Sequence, residues 1–322
     1  MTEADIRADE APSKPPHPQM QWIPGGTFDM GSDDHYPEEA PVHPVAVDGF
    51  WMDRCAVTNA QFGLFVKRTG YVTVAERAPD PADFPDAPPE NLVPGSLVFQ
   101  PTAGPVDLTR IETWWRWTLG ACWHRPEGPG SHVRKRARHP VVHIAHEDAQ
   151  AYANWAGKAL PTEAEWERAA RGGLERKEYA WGDQHMPGGK PRANTWQGEF
   201  PWQNLLTDGY EGTAPVGSFP PNGYGLRDMA GNVWEWTDDW WSAVHDGPAD
   251  KPCCIPQNPR GGGREASLDP AAPDWRIPRK VVKGGSYLCA PNYCLRYRPA
   301  ARRPQMIDTG TTHIGFRCIV RP

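Results

Sequence analysis

The stretch Trp22-Ile-Pro-Gly-Gly-Thr-Phe-Asp-Met-Gly31 marks the point at which the folded part of this chain begins. Its Pro-Gly-Gly segment predicts a turn between two short apolar strands, because proline and glycine favour turn conformations. The residues that precede it are polar and rich in proline, which predicts a disordered tail over residues 1–19. The sequence therefore predicts one folded domain over residues 20–322.

Three helices are predicted from capping residues and apolar spacing. The first runs from a capping box at Thr58 to Gly70, the second spans Asp148–Ala156, and the third runs from a capping box at Thr162 to Gly172. In each of them the apolar residues recur on one helix face. Each helix is therefore expected to pack one side against the core.

The composition indicates much irregular backbone between these helices. With 37 Pro, 32 Gly and 16 Trp, the chain is expected to form many turns held by large indole contacts. We predict a long surface excursion over residues 78–140, which include the cluster Trp114-Trp-Arg-Trp117. A second loop insertion is predicted over residues 245–275. The expected fold class is a single α+β domain with low regular secondary structure and long loops.

The charge pattern argues against two classes of partner. The chain has 34 Lys+Arg against 40 Asp+Glu, a net charge of −6, and its basic residues are scattered apart from Arg134-Lys135-Arg136. Nucleic acid is therefore not an expected partner. No apolar run approaches membrane-spanning length, and the N-terminus is acidic and polar, unlike a secretory signal. We expect no membrane partner and a location in the cytoplasm.

Cys289 and Cys294 form the pair that is most informative about function. They lie in the segment Lys283-Gly-Gly-Ser-Tyr-Leu-Cys-Ala-Pro-Asn-Tyr-Cys-Leu-Arg-Tyr-Arg298, which holds no histidine and no third cysteine. Two thiolates alone suit a soft ion of low coordination number, such as Cu(I), better than tetrahedral zinc. The C-x4-C spacing is equally compatible with a local disulfide or with two ordinary thiols.

A second possible metal motif is His143-x-x-His146. No third ligand is evident beside this pair. Because His143 ends the apolar run Val141-Val142, a structural role is the preferred interpretation.

Beyond these local patterns, several segments resemble the formylglycine-generating enzymes, the sulfatase-modifying factors. The segment Gly285–Arg298 resembles the catalytic segment of active members, whereas the other motifs are shared with relatives that perform different chemistry and so identify the fold. The resemblance implies a single C-type-lectin-like domain. The fold motifs are Trp22–Gly31, His139–His143, Trp155–Glu167, Ala193–Pro201, Asn222–Leu226, Gly231–Thr237 and Gly315–Cys318.

The resemblance also implies an activity. Members use O2 and Cu(I) to convert the cysteine of a Cys-x-Pro-x-Arg segment in an unfolded sulfatase to Cα-formylglycine, with a thiol as reductant. Cys289 and Cys294 would be the copper ligands, Ser286 and Tyr293 their polar neighbours, and Trp234 a wall of the pocket. The last three residues also have ordinary alternatives, a backbone hydrogen bond for Ser286 and core packing for Tyr293 and Trp234.

Two structural calcium ions are a further implication of the resemblance, because carboxylate and carbonyl oxygens suit Ca2+. Without the resemblance, these residues would be interpreted as turn formers. The first group comprises Asn194 and Asp208 with the carbonyls of Thr195 and Tyr210. The second comprises Asp228 and Glu235 with carbonyls from Ala230, Gly231 and Val233.

The chain departs from the family pattern at several positions. Ala290-Pro291 stands where many members have a histidine followed by a polar or basic residue, and His313 stands where several have asparagine, so substrate contacts are expected to differ in detail. Cys318 has no family partner. In secretory members of the family, disulfide cysteines stand at the positions of Ala153, Ala170 and Pro299. Their replacement here indicates a reducing compartment.

Two other functions compete with copper-dependent oxidation. One is a non-catalytic peptide- or glycan-binding member of the same fold, against which the retained cysteine pair argues. The other is a relative that forms a carbon–sulfur bond with non-haem iron. Such relatives have an additional histidine-rich helical domain, which we do not expect in the sequence before residue 20.

Overall fold

The computed structural model describes residues 11, 14–81, 88, 92–245, 255–272 and 276–322. The predicted tail over residues 1–19 and the predicted insertion over residues 245–275 lie partly outside these residues. In the described part, three α-helices and eleven short strands are joined by long irregular segments, as the composition predicted. No helix in this part is both long enough and apolar enough to cross a membrane.

The helices are α1 (Asn59–Thr69), α2 (His146–Trp155) and α3 (Glu163–Arg171). The predicted caps of α1 and α3 are confirmed, because a threonine hydroxyl accepts a backbone N–H at each start and a left-handed glycine follows each end.

The predicted start of α2 at Asp148 is wrong by two residues. The helix begins at His146, and the Asp148 carboxylate accepts a hydrogen bond from the backbone N–H of Ala145 at 2.9 Å. The capping carboxylate thus lies at the third position of the helix, whereas the prediction placed it at the first.

The strands form four small sheets. A three-stranded sheet has the order β1-β4-β11, a four-stranded sheet has the order β10-β7-β8-β9, and β2-β3 and β5-β6 are antiparallel pairs. The predicted Pro-Gly-Gly turn does separate two strands, β1 and β2, but these belong to different sheets. In chain order the strands are β1 (Met20–Ile23), β2 (Gly26–Met30), β3 (His43–Val47), β4 (Phe50–Asp53), β5 (Gly95–Phe99), β6 (Trp115–Leu119), β7 (Trp234–Trp240), β8 (Arg279–Lys283), β9 (Arg302–Met306), β10 (Ile314–Gly315) and β11 (Ile319–Val320).

The excursion predicted over residues 78–140 contains the β5-β6 pair and is built into the domain core. Trp114, immediately before β6, is completely buried and packs edge-on against Phe200 and Tyr293 at ring-centroid distances of 5.4 and 5.5 Å. Residues 82–87 and 89–91 of the excursion lie outside the described residues. Its described part is therefore more than a surface loop, because it supplies an aromatic anchor beside the cysteine segment.

Buried charges tie α3 to the four-stranded sheet. Glu167 accepts hydrogen bonds from Arg171 and from Lys283, and Glu163 forms a bidentate pair with Arg302 at 2.7 and 2.8 Å. Burial alone would raise the pKa of the Glu167 carboxyl, but Lys283 and Arg171 lower it to about 2. Because Lys283 is the last residue of β8, this network fixes the point at which the cysteine segment leaves the sheet.

Candidate functional site

A tight double-glycine turn after β8 brings Cys289 and Cys294 together. Gly284 and Gly285 both have positive φ, and a Cβ on Gly285 would lie 2.8 Å from the carbonyl oxygen of Arg296. Only glycine allows the two arms of the loop to approach so closely. Within the loop, the Cys289 N–H donates to the Ser286 carbonyl at 3.0 Å and the Cys294 N–H to the Ala290 carbonyl at 2.8 Å.

This folding places the two sulfur atoms 3.0 Å apart. Both cysteines are free thiols, because this separation is about 1 Å longer than a disulfide bond. Both are also buried, with 2% and 7% of their surfaces exposed. Of the three states that the sequence left open, the structure excludes the disulfide and shows two buried thiols that are close enough to bind one shared ion.

The two thiols differ in acidity. The pKa of Cys294 is lowered because the Cys289 thiol donates a hydrogen bond to it and because the cations of Arg296 and Arg303 lie nearby. The pKa of Cys289 is raised by burial and by the neighbouring sulfur of Cys294. Cys294 therefore ionises first, and the pair carries one negative charge before it carries two.

The Arg296 guanidinium is held beside the sulfur pair by the segment that precedes β3. It donates to the Glu38 carboxylate at 2.7 Å and lies over the Tyr36 ring at 3.6 Å from the centroid. Its Nε–H is buried and has no hydrogen-bond partner among the described residues. A positive group is thus fixed at the site with one donor unused.

The other three predicted site residues surround the pair. Ser286 is fully buried, its hydroxyl accepts from the Leu288 N–H at 3.2 Å, and its own N–H donates to the Cys289 sulfur at 3.4 Å. The Tyr293 ring stacks on Phe200 at 4.4 Å. Trp234, 1% exposed, shares a core cluster with both cysteines. Ser286 and Tyr293 thus also have the ordinary contacts that were their alternatives.

Sequence reasoning gave no role to Arg296 or to Tyr297. The Tyr297 ring belongs to the same core cluster as the sulfur pair, and its buried hydroxyl has no hydrogen-bond partner among the described residues. Both lie in the run Arg296-Tyr-Arg298. The basic residue two positions after Cys294 is the feature of the sequence that could have indicated a role for Arg296. Glu38 had no such signal, because it is 258 residues away from Arg296.

The first predicted calcium group comes together next to the cysteine segment. The side-chain oxygen of Asn194 is buried without a hydrogen-bond partner among the described residues. One Gln197 amide nitrogen donates both to the Thr195 carbonyl and to the Asp208 carboxylate, and the Tyr210 N–H donates to that carboxylate at 2.9 Å. Burial raises the pKa of Asp208.

These contacts fit a bound calcium ion. An orphaned amide oxygen, a partly buried carboxylate and a carbonyl are hard oxygen donors of the kind that Ca2+ takes. The Trp196 N–H, two residues from Asn194, donates to the Cys289 carbonyl at 3.0 Å. An ion in this group would therefore stabilise the backbone that supports Cys289.

The second predicted calcium group fits less well. Both oxygens of Glu235 already accept hydrogen bonds from Arg317, at 2.6 and 2.8 Å, and one of them also accepts from the Trp166 indole. The Asp228 carboxylate accepts from the Gly217 N–H at 2.6 Å. The Arg317 cation thus neutralises Glu235, and of the two groups described here only the first has a buried side-chain oxygen that lacks a partner.

Of the His143-x-x-His146 pair, His143 has the hydrogen bonds of a structural residue. Both ring nitrogens of His143 are engaged, one with the Ser96 hydroxyl at 2.7 Å and the other with the Pro126 carbonyl at 2.8 Å. His146 instead packs its ring edge-on against Trp236. The two imidazoles therefore do not share a ligand.

Known proteins resemble this chain over most of its length. Residues 6–322 match the model of the sulfatase-modifying factor enzyme 1-like domain. The chain is 54% identical to the formylglycine-generating enzyme of Mycobacterium tuberculosis, over 93% of this chain and 97% of that protein. It is 44% identical to the inactive Cα-formylglycine-generating enzyme 2 of Bos taurus, over 70% and 72% of the two chains.

A solved structure with the same fold is PvdO from Pseudomonas aeruginosa. It has a TM-score of 0.61 and 22% identity, and the match covers 93% of each chain. At this identity the likeness concerns the fold alone. The predicted fold class, a single domain with few helices and long loops, is confirmed.

Replacing Arg296 tests its effect on the sulfur pair. In Arg296→Met the thiolate of Cys294 loses a neighbouring cation, so its pKa rises and its reaction with iodoacetamide shifts to higher pH by about one unit or more. In Arg296→Lys a positive charge remains, and the shift should be smaller. Alkylation of the Cys294 peptide, followed by mass spectrometry across pH, measures both. Superimposable profiles for wild type and Arg296→Met would contradict the assignment.

Chelation tests the first calcium group. Adding EDTA should lower the melting temperature of the wild-type protein, by roughly 2–4 °C for each kcal/mol of binding free energy that is lost, and an excess of Ca2+ should restore it. Asp208→Asn should lack this recovery with Ca2+. Asp228→Asn, in the second group, should keep the response. Differential scanning calorimetry that shows no EDTA effect on the wild type would exclude a tightly bound ion.

Proposed function

Because the chain belongs to the sulfatase-modifying factor enzyme 1-like family, we propose that it converts a cysteine of a sulfatase to Cα-formylglycine. The observation that carries the proposal is the inward-facing pair of buried thiols, Cys289 and Cys294, 3.0 Å apart. A protein that only bound a peptide would have no need for two thiols in this arrangement. The identity with a formylglycine-generating enzyme over nearly the whole chain supports the same activity.

The proposed substrate is the cysteine of a Cys-x-Pro-x-Arg segment in an unfolded sulfatase, and O2 is the oxidant. One substrate thiol, one O2 and two molecules of a reductant thiol give one aldehyde, one hydrogen sulfide, one water and one disulfide of the reductant. The substrate carbon gives up two electrons, its carbon–sulfur bond breaks, and sulfur leaves as hydrogen sulfide. The other two electrons come from the thiol reductant, so a reductant is a required partner.

Cys289 and Cys294 suit Cu(I) as the cofactor, because two thiolates with no hard ligand between them favour a soft ion. When bound, Cu(I) supplies the electron density with which reduction of O2 begins. Arg296 lowers the free energy needed to deprotonate Cys294, and a thiol must be deprotonated before it can bind a metal. The Cys289 thiol, whose pKa is raised by burial, must also lose its proton before both sulfur atoms can bind the ion as thiolates.

The neighbours of the pair exclude water and supply polar groups. Trp234 lies in the core cluster that contains both cysteines, and the stacked rings of Tyr293 and Phe200 both contact the edge of the Trp114 anchor. We assign the Tyr293 hydroxyl and the Ser286 hydroxyl to orientation of oxygen or water. Each hydroxyl can donate one hydrogen bond there.

A cavity of about 370 Å3 opens beside the loop that joins the two cysteines. Pro291 and Asn292 form one side of it, and Trp181, Trp196 and Glu199 lie among its other lining residues. An aromatic and polar lining is what an extended peptide requires, because its backbone must be hydrogen-bonded and its apolar side chains covered. We propose that part of the sulfatase segment occupies this cavity.

We further propose that the protein works in the cytoplasm. The five cysteines in the described part of the chain are free thiols, and Ala153, Ala170 and Pro299 stand where secretory members of the family have disulfide cysteines. A reducing compartment keeps such thiols intact. It also supplies the thiol reductant that the reaction consumes.

The proposal is tested with a peptide that carries Cys-x-Pro-x-Arg, incubated with the protein, Cu(I), O2 and a thiol. We expect the wild-type protein to convert the cysteine to an aldehyde, seen by mass spectrometry as loss of sulfur and as reaction with a hydrazide. Cys294→Ala should produce no aldehyde, because one thiolate cannot hold the ion. Cys55→Ala, which removes a thiol elsewhere, should stay active.

Two results would overturn the proposal. One is full activity of Cys294→Ala. The other is failure of copper-loaded wild-type protein to form any aldehyde on the peptide, which would favour the non-catalytic interpretation of this fold.

A further inference from the structure

A second cluster of metal-binding side chains lies outside the cysteine segment. Cys122 and His124 stand in the turn that follows β6, and Glu76 ends the 3-10 turn Val74–Glu76. The Cys122 sulfur is 3.4 Å from His124 Nδ1, and that nitrogen is 3.6 Å from Glu76 Oε1. One sulfur, one nitrogen and one oxygen therefore all lie within 4.8 Å of one another.

The local backbone holds these three groups in place. Cys122 and Arg125 exchange two backbone hydrogen bonds, of 3.1 and 3.0 Å, which close the turn that carries His124. The other oxygen of Glu76 accepts from the Thr73 hydroxyl at 2.7 Å and from its N–H at 3.2 Å. The Glu76 carboxylate is thus oriented by one oxygen while the other turns toward His124, as outer partners orient a metal ligand.

The arrangement does not suit a cysteine nucleophile. In such a site the base uses one ring nitrogen for the thiol and the other for the orienting carboxylate. Here Cys122 and Glu76 both face Nδ1 of His124, whereas Nε2 accepts from the Arg125 Nε–H at 3.2 Å. Burial also raises the pKa of the Cys122 thiol, which opposes formation of a free nucleophilic thiolate. Donors that converge on one point are the arrangement of a metal site.

We propose that Glu76, Cys122 and His124 bind one Zn2+. Zinc accepts thiolate, imidazole and carboxylate ligands together, whereas a hard carboxylate oxygen does not suit the soft Cu(I) ion. Cys122 is buried, but the side chains of His124 and Glu76 are 34% and 24% exposed. Three protein ligands with a fourth position open to water match the coordination that zinc adopts.

Arg125 is a nearby group that opposes the ion. Its guanidinium carries a positive charge, and its hydrogen bond occupies a ring nitrogen of His124. Since Arg125 is exposed, its side chain can turn into solvent and leave the imidazole free to bind.

A zinc ion here would act as a staple. It would join the Val74–Glu76 turn to the Cys122–Arg125 turn, which flank in sequence the segment that carries β5, β6 and Trp114. Closing a long loop in this way restrains the unfolded chain and stabilises the folded one. The proposal does not rest on the proposed function, because neither turn contributes to the sulfur pair of Cys289 and Cys294.

The test is zinc binding to the full chain in the Cys289→Ser/Cys294→Ser variant, which removes the other thiol pair. We expect one Zn2+ per chain by equilibrium dialysis with elemental analysis. Replacing the zinc with Co2+ should give a sulfur-to-cobalt absorption band. Added in this background, Cys122→Ser should abolish the band. His124→Ala and Glu76→Gln should each weaken zinc binding more than substitution of a residue that only hydrogen-bonds to a ligand, which costs roughly 10–100-fold in affinity.

Matched controls separate loss of a ligand from loss of the fold. Cys55→Ser and His132→Ala remove a thiol and an imidazole elsewhere and should bind zinc as the parent does. Glu76→Gln keeps the size and hydrogen-bonding shape of the side chain, so circular dichroism of this variant should match that of the parent. Absence of zinc and cobalt binding in the parent variant would overturn the proposal. So would binding that persists unchanged in Cys122→Ser and His124→Ala.

Discussion

The close approach of Gly285 to the backbone of Arg296 is the constraint on which the candidate site depends. Any side chain at residue 285 would press on the opposite arm of the loop, so the two arms meet only because glycine stands there. The meeting of the arms sets Cys289 against Cys294. Outside the loop, Arg298 forms a bidentate ion pair with Glu39, which is 259 residues away in sequence, and both side chains are almost fully buried. This ion pair holds the second arm against the N-terminal part of the domain.

Charge then gives this geometry its chemical character. Burial of two thiols would by itself leave both protonated, but the hydrogen bond from the Cys289 thiol, together with the Arg296 and Arg303 cations, favours the thiolate of Cys294 and lowers its pKa. Arg296 keeps its place through Glu38 and Tyr36, so the acidity of the pair is set by residues far away in the sequence. The same logic applies to Lys283, whose bond to Glu167 anchors the strand from which the loop departs. Buried ion pairs here position a site, and their effect on stability is secondary.

Local features of the sequence were the ones that predicted structure correctly. The caps of α1 and α3 are formed by residues within four positions of one another, so Thr58 and Thr162 sufficed to find them. The start of α2 was missed because its capping carboxylate, Asp148, lies inside the helix. The cysteine pair was found because both thiols and both glycines fall in one short segment.

Contacts between residues that are distant in the chain could not be predicted from the sequence. Nothing in the local pattern connects Glu38 with Arg296, or Trp114 with Tyr293, because these contacts form only when distant segments pack together. The residues of the second calcium group are close in sequence, yet Arg317 neutralises Glu235 across 82 positions. The Glu76, Cys122 and His124 cluster joins two turns that are more than 40 residues apart in sequence, and no spacing rule indicates it.

The central claim is that the sulfur pair is a Cu(I) site, and a titration with Cu(I) against a competing chelator tests it most directly. We predict that wild-type protein and Cys122→Ser bind one Cu(I) per chain with high affinity. Cys289→Ser and Cys294→Ser should each lose this binding, because one thiolate does not retain the ion against the chelator. Stoichiometric, tight Cu(I) binding that survives either single substitution would contradict the claim.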